Sequence, residues 1–516
     1  MKLARMISEG ALARLRQNAQ AAWRRQDYAE YFKIMEQAAR QDPANSRLLL
    51  DLGAAHGMRY EYAAAARCFD KAVRVSPSKD AALVMAATQC RGFDRFVMAR
   101  HYLELAIKEP KVSPDTCVKL AEIYERFRLM DEAAALVDRA LGMDPGCVLA
   151  SLVRARLDRL SGRAEDAERG LRPLLARTDK DTWSTRVRGW YELGAALDAQ
   201  GRYDEAMAAF QEAKAMILPN ATREIAAQKV VQSRLKIAEQ KISAQMLARW
   251  KKQGAEFQPP NRLALLCGHP RSGTTLLEQV LDSHPDCVSA EETGIFLRES
   301  FWPLLRGLPP ETLMLDTLEP ASAATLRESR RHYRECMAKF LGQPPEPHLL
   351  IDKNPSLTGL APGFARVFPE AKLLVALRDP RDVCLSCFMQ PLPLGQVSSI
   401  FLTLKSAAEE YASVMGLWRA MAPCLDGGFL EVRYEDMVED LEPVARRALE
   451  FLGVPWDDRV LRFYEHAGAK LVRSPTYAAV VKPISKGAVG RWRNYQKHLE
   501  PLLETLAPFV KAFGYE

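Results

Sequence analysis

Long apolar runs are missing from this sequence. No window approaches about eighteen uninterrupted apolar residues, so a membrane-spanning helix is not expected. The opening stretch MKLARMISEGALARLRQ is basic but lacks the apolar core of a secretory signal, and a cytoplasmic location is the expectation. Cysteine is also thinly spread. Ten are scattered along the chain, as at Cys68, Cys90, Cys117 and Cys147, and none belongs to a dense disulfide framework. Cys384 and Cys387 form one C-x-x-C without a second pair or a histidine cluster, and are read as coincidence rather than as a zinc site. What remains is the profile of a soluble globular protein, 48% hydrophobic and 27% charged. At 516 residues it exceeds one ordinary core, so two domains are expected. The net charge of +7 divides into about +10 over residues 1–260 and about −3 over 261–516. That split favours an acidic partner for the N-terminal half, although a scattered solvated surface gives the same sum.

The N-terminal half repeats with a period of 34 residues. Ala38 and Pro43 recur as Ala72 and Pro77 and again as Ala140 and Pro145, with Ala106 in the same register. Small residues form two further columns, at Ala19, Gly53, Ala87, Ala121 and Ala155 and at Ala65, Ala99, Ala133 and Ala167. Two antiparallel helices per unit account for this. Small residues sit where the helices approach, Leu52, Phe69, Leu120 and Tyr124 fill between units, and proline closes each second helix. The stretch WYELGAALDAQGRYDEAMAAFQEA, from Trp190 to Ala213, carries the pattern most fully and resembles a tetratricopeptide repeat (TPR). About six units are expected, near 12–45, 46–79, 80–113, 114–147, 148–181 and 187–220. Such arrays bind peptides or proteins on a concave face, pack on a neighbouring domain, or mediate self-association. Residues 221–252 read as one long polar helix before a break at Gln258-Pro259-Pro260.

Beyond the break, Leu263–Cys267 reads as a buried strand leading into Gly268-His269-Pro270-Arg271-Ser272-Gly273-Thr274-Thr275 and a helical stretch from Leu276 to Leu281. A strand, a glycine-bounded loop and a helix start form an anion site from backbone N–H groups and the helix dipole. The spacing matches a nucleotide-binding P-loop, but Thr274 stands where that motif has lysine. The lysine and Mg²⁺ that a triphosphate requires therefore have no clear place, which argues against a kinase or NTPase. Arg271 is the cation inside the loop. A second run, Lys372–Leu377, precedes Arg378-Asp379-Pro380-Arg381 and a helix containing Ser386; Arg378 and Ser386 can converge on a second phosphate. Two phosphate sites on neighbouring strand ends imply a nucleotide phosphorylated at both its 5′ and 3′ positions.

The segments PRSGTTLLEQVLDSHPDCVSAEET and LLVALRDPRDVCLS resemble the 5′-phosphosulfate and 3′-phosphate motifs of sulfotransferases that use 3′-phosphoadenosine 5′-phosphosulfate (PAPS). The extended first motif is closest to tyrosylprotein sulfotransferases and to bacterial TPR-fused sulfotransferases, over roughly residues 261–510. The resemblance implies a TPR α-solenoid over 1–220, a helical cap or linker over 221–260, and a P-loop-like α/β domain with a central parallel sheet over 261–516. It implies PAPS as donor with no metal required, and Arg271, Ser272, Gly273, Thr274 and Thr275 at its 5′ end with Arg378 and Ser386 at its 3′ end.

Sulfuryl transfer needs a base for the acceptor hydroxyl and positive groups at the transferring oxygens. Glu292 matches the family's catalytic glutamate; capping of the following helix with Glu291 is the plainer alternative, and His269 and His284 are rival bases. Lys353, after the apolar run Leu349–Ile351, matches the lysine that stabilises the leaving phosphate, against a salt bridge to Asp352. Tyr434, at the end of a strand from Phe429, resembles the residue lining the nucleotide pocket. The tail RSPTYAAVVKPISKGAVGRWRNYQ reads as a loop over the nucleotide. By resemblance it places Ser474 at the transition state and Arg491 at phosphate, with Lys482 and Lys486 as further candidates. Gly294 occupies the position of an arginine that grips acidic peptide in the tyrosylprotein enzymes, while Arg298 matches a second such arginine. The acceptor therefore stays open among peptide tyrosine, a saccharide and a small alcohol. The partners expected are a peptide or protein, acidic in character, or a second copy of the chain; nucleic acid is not expected.

Overall fold

A computed structural model describes residues 9–516 except 26, 178, 180–181, 258–261, 310, 393 and 470–479. The expected break at Gln258-Pro259-Pro260 lies outside the described residues. The chain divides into two compact units, Met1–Leu157 and Asp158–Glu516, so the unit boundary falls well before the 220–260 region read from sequence.

Twelve helices follow two by two, and the first four twos and the sixth pack as antiparallel pairs: α1 (Glu9–Arg24) with α2 (Tyr28–Gln41), α3 (Ser46–Met58) with α4 (Tyr62–Val75), α5 (Lys79–Gly92) with α6 (Phe96–Ala106), α7 (Pro114–Arg126) with α8 (Met130–Met143), and α11 (Trp183–Ala199) with α12 (Tyr203–Ile217); α9 (Val148–Leu160) and α10 (Ala164–Leu175) stand between them in the chain. The small-residue columns are buried throughout: Ala65, Ala99, Ala133 and Ala167 are all fully enclosed. Gly53 shows why one member is glycine. The ring of Phe69 lies against it, and an added Cβ would stand 2.5 Å from Phe69 Cε1; Phe210 covers Gly194 in the same way, at 2.7 Å. The 34-residue period also appears in the backbone. Tyr60, Asp94, Arg128 and Gly162 all turn between successive helices with positive φ, and Gly201 does so in the last pair. Three of these five are non-glycine residues in a conformation that L side chains adopt at a cost.

The long polar helix expected over 221–252 is two helices, α13 (Thr222–Lys241) and α14 (Ala244–Gly254). Ile242 is extended and the Ser243 side chain accepts from Met246 N–H, so an N-cap restarts the helix there. Nor is α13 simply a polar cap. Its Gln228 and Gln232 amides donate to Glu410, whose pKa burial pushes up.

The remainder is built on one parallel five-stranded sheet of order β2-β3-β1-β4-β5: β1 (Leu263–Gly268), β2 (Cys287–Glu291), β3 (Leu349–Lys353), β4 (Lys372–Leu377) and β5 (Phe429–Arg433). The β1, β3 and β4 strands are near-continuous apolar runs, as parallel strands covered on both faces must be. Helix α15 (Thr274–Asp282) follows the β1 loop and is buried from Thr274 to Leu281. With β1 flanked by β3 and β4, the chain direction of successive crossovers reverses beside β1, which opens a crevice at the carboxyl ends of the strands.

Candidate active site at the strand ends

Each of the five strands delivers a sequence-predicted residue to this edge: β1 the Gly268–Thr275 loop, β2 Glu292, β3 Lys353, β4 Arg378 and β5 Tyr434. The loop after β1 turns through Gly268 (φ 133°), Arg271 (φ 73°) and Gly273 (φ 96°) before α15 begins. Gly273 is required twice over: by its φ, and because an added Cβ would stand 2.7 Å from Tyr434 Cδ2. Arg271 and Glu292 (φ 49°) are non-glycine residues held in the left-handed region, a strain of about 1–3 kcal/mol each that the surrounding contacts must offset.

A cavity of about 960 Å³ lies over these elements, and Arg271, Glu292, Arg378, Ser386, Tyr434 and Arg491 all border it, as do Gly273, Thr274, Thr275 and Lys482. Arg271 Nε donates to Ser386 Oγ at 3.1 Å, and Arg378 donates to the Arg271 carbonyl at 3.3 Å and to the Ala488 carbonyl. The Arg378 guanidinium also lies 4.9 Å over the Tyr434 ring. Its Nε is buried with no partner among the described residues. Burial pushes the Arg271 pKa down, and the facing guanidinium of Arg378 pushes it the same way. Cations gathered like this, one with an orphaned donor, mark an anion site. Among the described lining residues four are cationic, Arg271, Arg378, Lys482 and Arg491, against the carboxylates Glu292 and Asp382.

Lys353 and Glu292 meet, but differently from the sequence expectation. Lys353 is fully buried and does not border the cavity. Its ammonium donates to Glu292 Oε1 at 2.6 Å and lies 3.4 Å from Glu278 and 3.7 Å from Glu291. Burial alone would lower the Lys353 pKa; the three carboxylates outweigh it and raise it. The alternative pairing with Asp352 is not formed, because neighbouring strand residues face opposite sides of the sheet. Asp352 instead accepts from Tyr333 Oη at 2.8 Å, and burial pushes its pKa up to about 7. Glu292 borders the cavity with its side chain 38% exposed, and its N–H donates to the Lys353 carbonyl.

Other predicted residues fall elsewhere. Ser272 is buried and its hydroxyl donates to the His269 carbonyl at 2.6 Å, so its side chain does not face the cavity. Arg298 does not border the cavity either; its guanidinium covers Gly294, where an added Cβ would stand 2.7 Å from Arg298 Cζ. Arg491 borders the cavity but is held by Asp198 at 2.6 Å. Tyr434 opens a helix, Tyr434–Glu439, rather than ending β5. Lys486 is exposed and pairs with Glu439 at 2.6 Å. Ser474 lies outside the described residues. The rival bases are occupied by structure. Burial pushes His269 down to about 4 as it packs against the rings of Phe401 and Tyr411, and His284 bridges the Pro455 carbonyl and the Asp286 N–H. Cys384 and Cys387 are both buried and free, each directed at a backbone carbonyl.

Sequence reasoning missed three residues here. Asp382 accepts from the Gly490 and Trp492 N–H groups at 2.8 and 2.7 Å and so docks the 486–495 segment beside the cavity; burial raises its pKa. Glu278 was the most findable, a carboxylate inside the apolar run of α15 and without solvent exposure. Asp198 carried no local signal.

Comparison with known proteins finds likenesses in both parts of the chain. Residues 264–458 match the family model described as sulfotransferase family, and residues 187–216 match the tetratricopeptide repeat. An uncharacterised protein of Aquifex aeolicus is 24% identical over 75% of this chain, which spans 49% of that relative's length. Protein-tyrosine sulfotransferase 1 of Danio rerio is 27% identical over 49% of this chain and 72% of its own, and the Drosophila melanogaster protein-tyrosine sulfotransferase is 28% identical over 49% and 52%. Among solved structures, the sulfotransferase domain of the Synechococcus PCC 7002 olefin synthase aligns at 24% identity and a TM-score of 0.36, over 49% of this chain and 96% of that one. One chain thus carries a segment that matches the tetratricopeptide repeat and, after it, a segment that matches the sulfotransferase family model.

Proposed function

We propose that this protein transfers a sulfuryl group from PAPS to an acceptor hydroxyl at the strand-end cavity. The observation that carries the reading is the buried Nε of Arg378, without a partner among the described residues, beside Arg271 and Ser386 and in the same cavity as Glu292. Bound PAPS would supply the activated sulfuryl group and a phosphate leaving group. The residues fit such a donor. The Gly268–Thr275 loop and the start of α15 offer N–H groups to its 5′ end, Arg378 and Ser386 are the candidates for the 3′-phosphate, and Tyr434 offers a ring face to the base.

Glu292 acts as the general base, accepting the acceptor's proton at its carboxylate. Lys353 is a positioning residue in this reading. Its ammonium fixes one oxygen of Glu292, while Glu278 and Glu291 keep the ammonium in place. Arg271 supplies positive charge where the transferring oxygens gain negative charge. The upstream helix pairs are proposed to hold a peptide or protein, and the basic excess over residues 1–260 favours an acidic one.

The test is sulfate transfer from ³⁵S-labelled PAPS by the full chain. Glu292→Gln is expected to lower turnover about 10²-fold or more while donor affinity stays within a few-fold. Unchanged turnover removes Glu292 from the role.

A further inference from the structure

The cavity is electrically divided. Its charged lining residues come from the loop after β1, from Glu292, from the strand end and first turn at Arg378 and Asp382, and from the 482–491 segment. Between Asp382 and Lys405 the chain carries no charged residue and no histidine. That stretch nevertheless supplies about a third of the described residues that line the cavity. Leu385 and Phe401 are buried, while Leu394 and Val397 remain 40% and 53% exposed; Gln390 and Gln396 are its largest polar groups. Arg271 stands at the border of the two regions, bonded to Ser386 on the uncharged side and close enough to Glu292 and Arg378 to feel their charges.

We propose that this uncharged wall beyond Ser386 is the acceptor subsite, and that the acceptor is a small molecule presenting its hydroxyl from a neutral, apolar body, such as an aryl alcohol. The inference rests on the sulfuryl-transfer reading above and names its substrate class. Three observations support it. The volume, about 960 Å³, sits at the upper end of the roughly 300–1,000 Å³ usual for ligand pockets, which leaves room beside a nucleotide. Arg271 and Arg378 stand with the features assigned to the donor, and among the described residues the stretch between Asp382 and Lys405 offers an anionic acceptor no counter-charge. Carboxylates brought against Leu392, Leu394 and Val397 would lose water without gaining a partner. Lastly, Arg298 is folded over Gly294 and takes no part in the lining. Two large aliphatic side chains exposed at the edge of a cavity that also holds a candidate base are accounted for by an apolar ligand that covers them.

The experiment measures kcat/KM of the full chain with saturating PAPS for 2-naphthol and for an acidic tyrosine peptide, with 3′-phosphoadenosine 5′-phosphate (PAP) binding measured in parallel. The expected result is a preference of at least tenfold for 2-naphthol. Leu394→Glu combined with Val397→Glu should lower kcat/KM for 2-naphthol at least tenfold, with the PAP dissociation constant moved less than threefold. Leu394→Arg with Val397→Arg should narrow the gap by raising transfer to the peptide. Preference for the acidic peptide, no transfer to 2-naphthol, or indifference to the wall substitutions would each overturn the inference while PAP binding persists. Failure of the wild-type chain to bind PAP would instead remove the sulfuryl-transfer reading on which it rests.

Discussion

The first four helix pairs and the sixth share one repeat pattern, yet different forces hold them. From α3 to α8 the packing is apolar. Phe69, Tyr102, Leu120 and Val137 fill between enclosed alanines, and Asp51 meets Arg16 and Arg47 at a partly exposed position. The sixth pair keeps the same interior, with Phe210 over Gly194, but its outer face is spent on polar ties to the end of the chain. Asp198 accepts from Arg491 and from Tyr495 Oη, and Asp204 pairs with Lys497 and His498. Lys214 is buried with its ammonium over the rings of Tyr191 and Phe388, without a carboxylate partner among the described residues. The repeat columns specify a hairpin's interior. Its outer residues tie it to neighbouring elements, and the compact unit that contains β1–β5 begins at Asp158, before the sixth pair.

The comparison can be broken or sharpened by substitution. The largest effect is expected inside the sheet edge, as a reference for both regions. Lys353→Met would leave three carboxyl groups around an absent ammonium, and chemical unfolding should report a loss of about 3–5 kcal/mol.

Lys214 comes next. Burial pushes its pKa down to about 7 from an ordinary 10.5. Between those values the unfolded chain holds a proton that the folded chain has released, so stability rises with pH across that window and is lowest below about 7. Lys214→Met should therefore stabilise most near pH 6, by about 2 kcal/mol, with the gain shrinking towards pH 10. A melting-temperature series against pH reads this directly, and a pH-independent difference would contradict it.

Asp198→Asn should cost about 1.5 kcal/mol because it weakens a charge-assisted contact to Arg491 and the hydrogen bond from buried Tyr495. The matching cut at Asp51 should cost less than about 1 kcal/mol. Equal losses would mean that the two hairpins are not held differently. The smallest effect is expected at Asp94, exposed and at φ 58° in its turn, where Asp94→Gly should add about 0.5 kcal/mol.

These contrasts mark where the sequence could be read. The helix pairs follow from columns of small residues because close approach leaves a mark every 34 positions. The five strands follow from short apolar runs, and β4 spans Lys372–Leu377 as expected. The glycine loop and Arg378 were visible because each stands just past an apolar run, and Glu292 through the motif whose resemblance singled it out. Pairings between distant elements were not. Lys353 faces Glu278 rather than neighbouring Asp352 because strand alternation sends adjacent side chains to opposite faces, and which face meets α15 depends on the β2-β3-β1 order. Asp198 and Tyr495 are 297 residues apart, and nothing local in either segment announces the other. The restart of α13 as α14 turned on a single serine cap within a stretch whose composition is helical throughout.

Titration calorimetry of the full chain with PAP tests the central claim most directly. Wild type should give saturable binding, and Arg378→Ala should bind at least about tenfold more weakly, a difference of about 1.4 kcal/mol. Binding by Arg378→Ala as tight as wild type, or no binding by wild type, would contradict the assignment of the strand-end cavity to a doubly phosphorylated nucleotide.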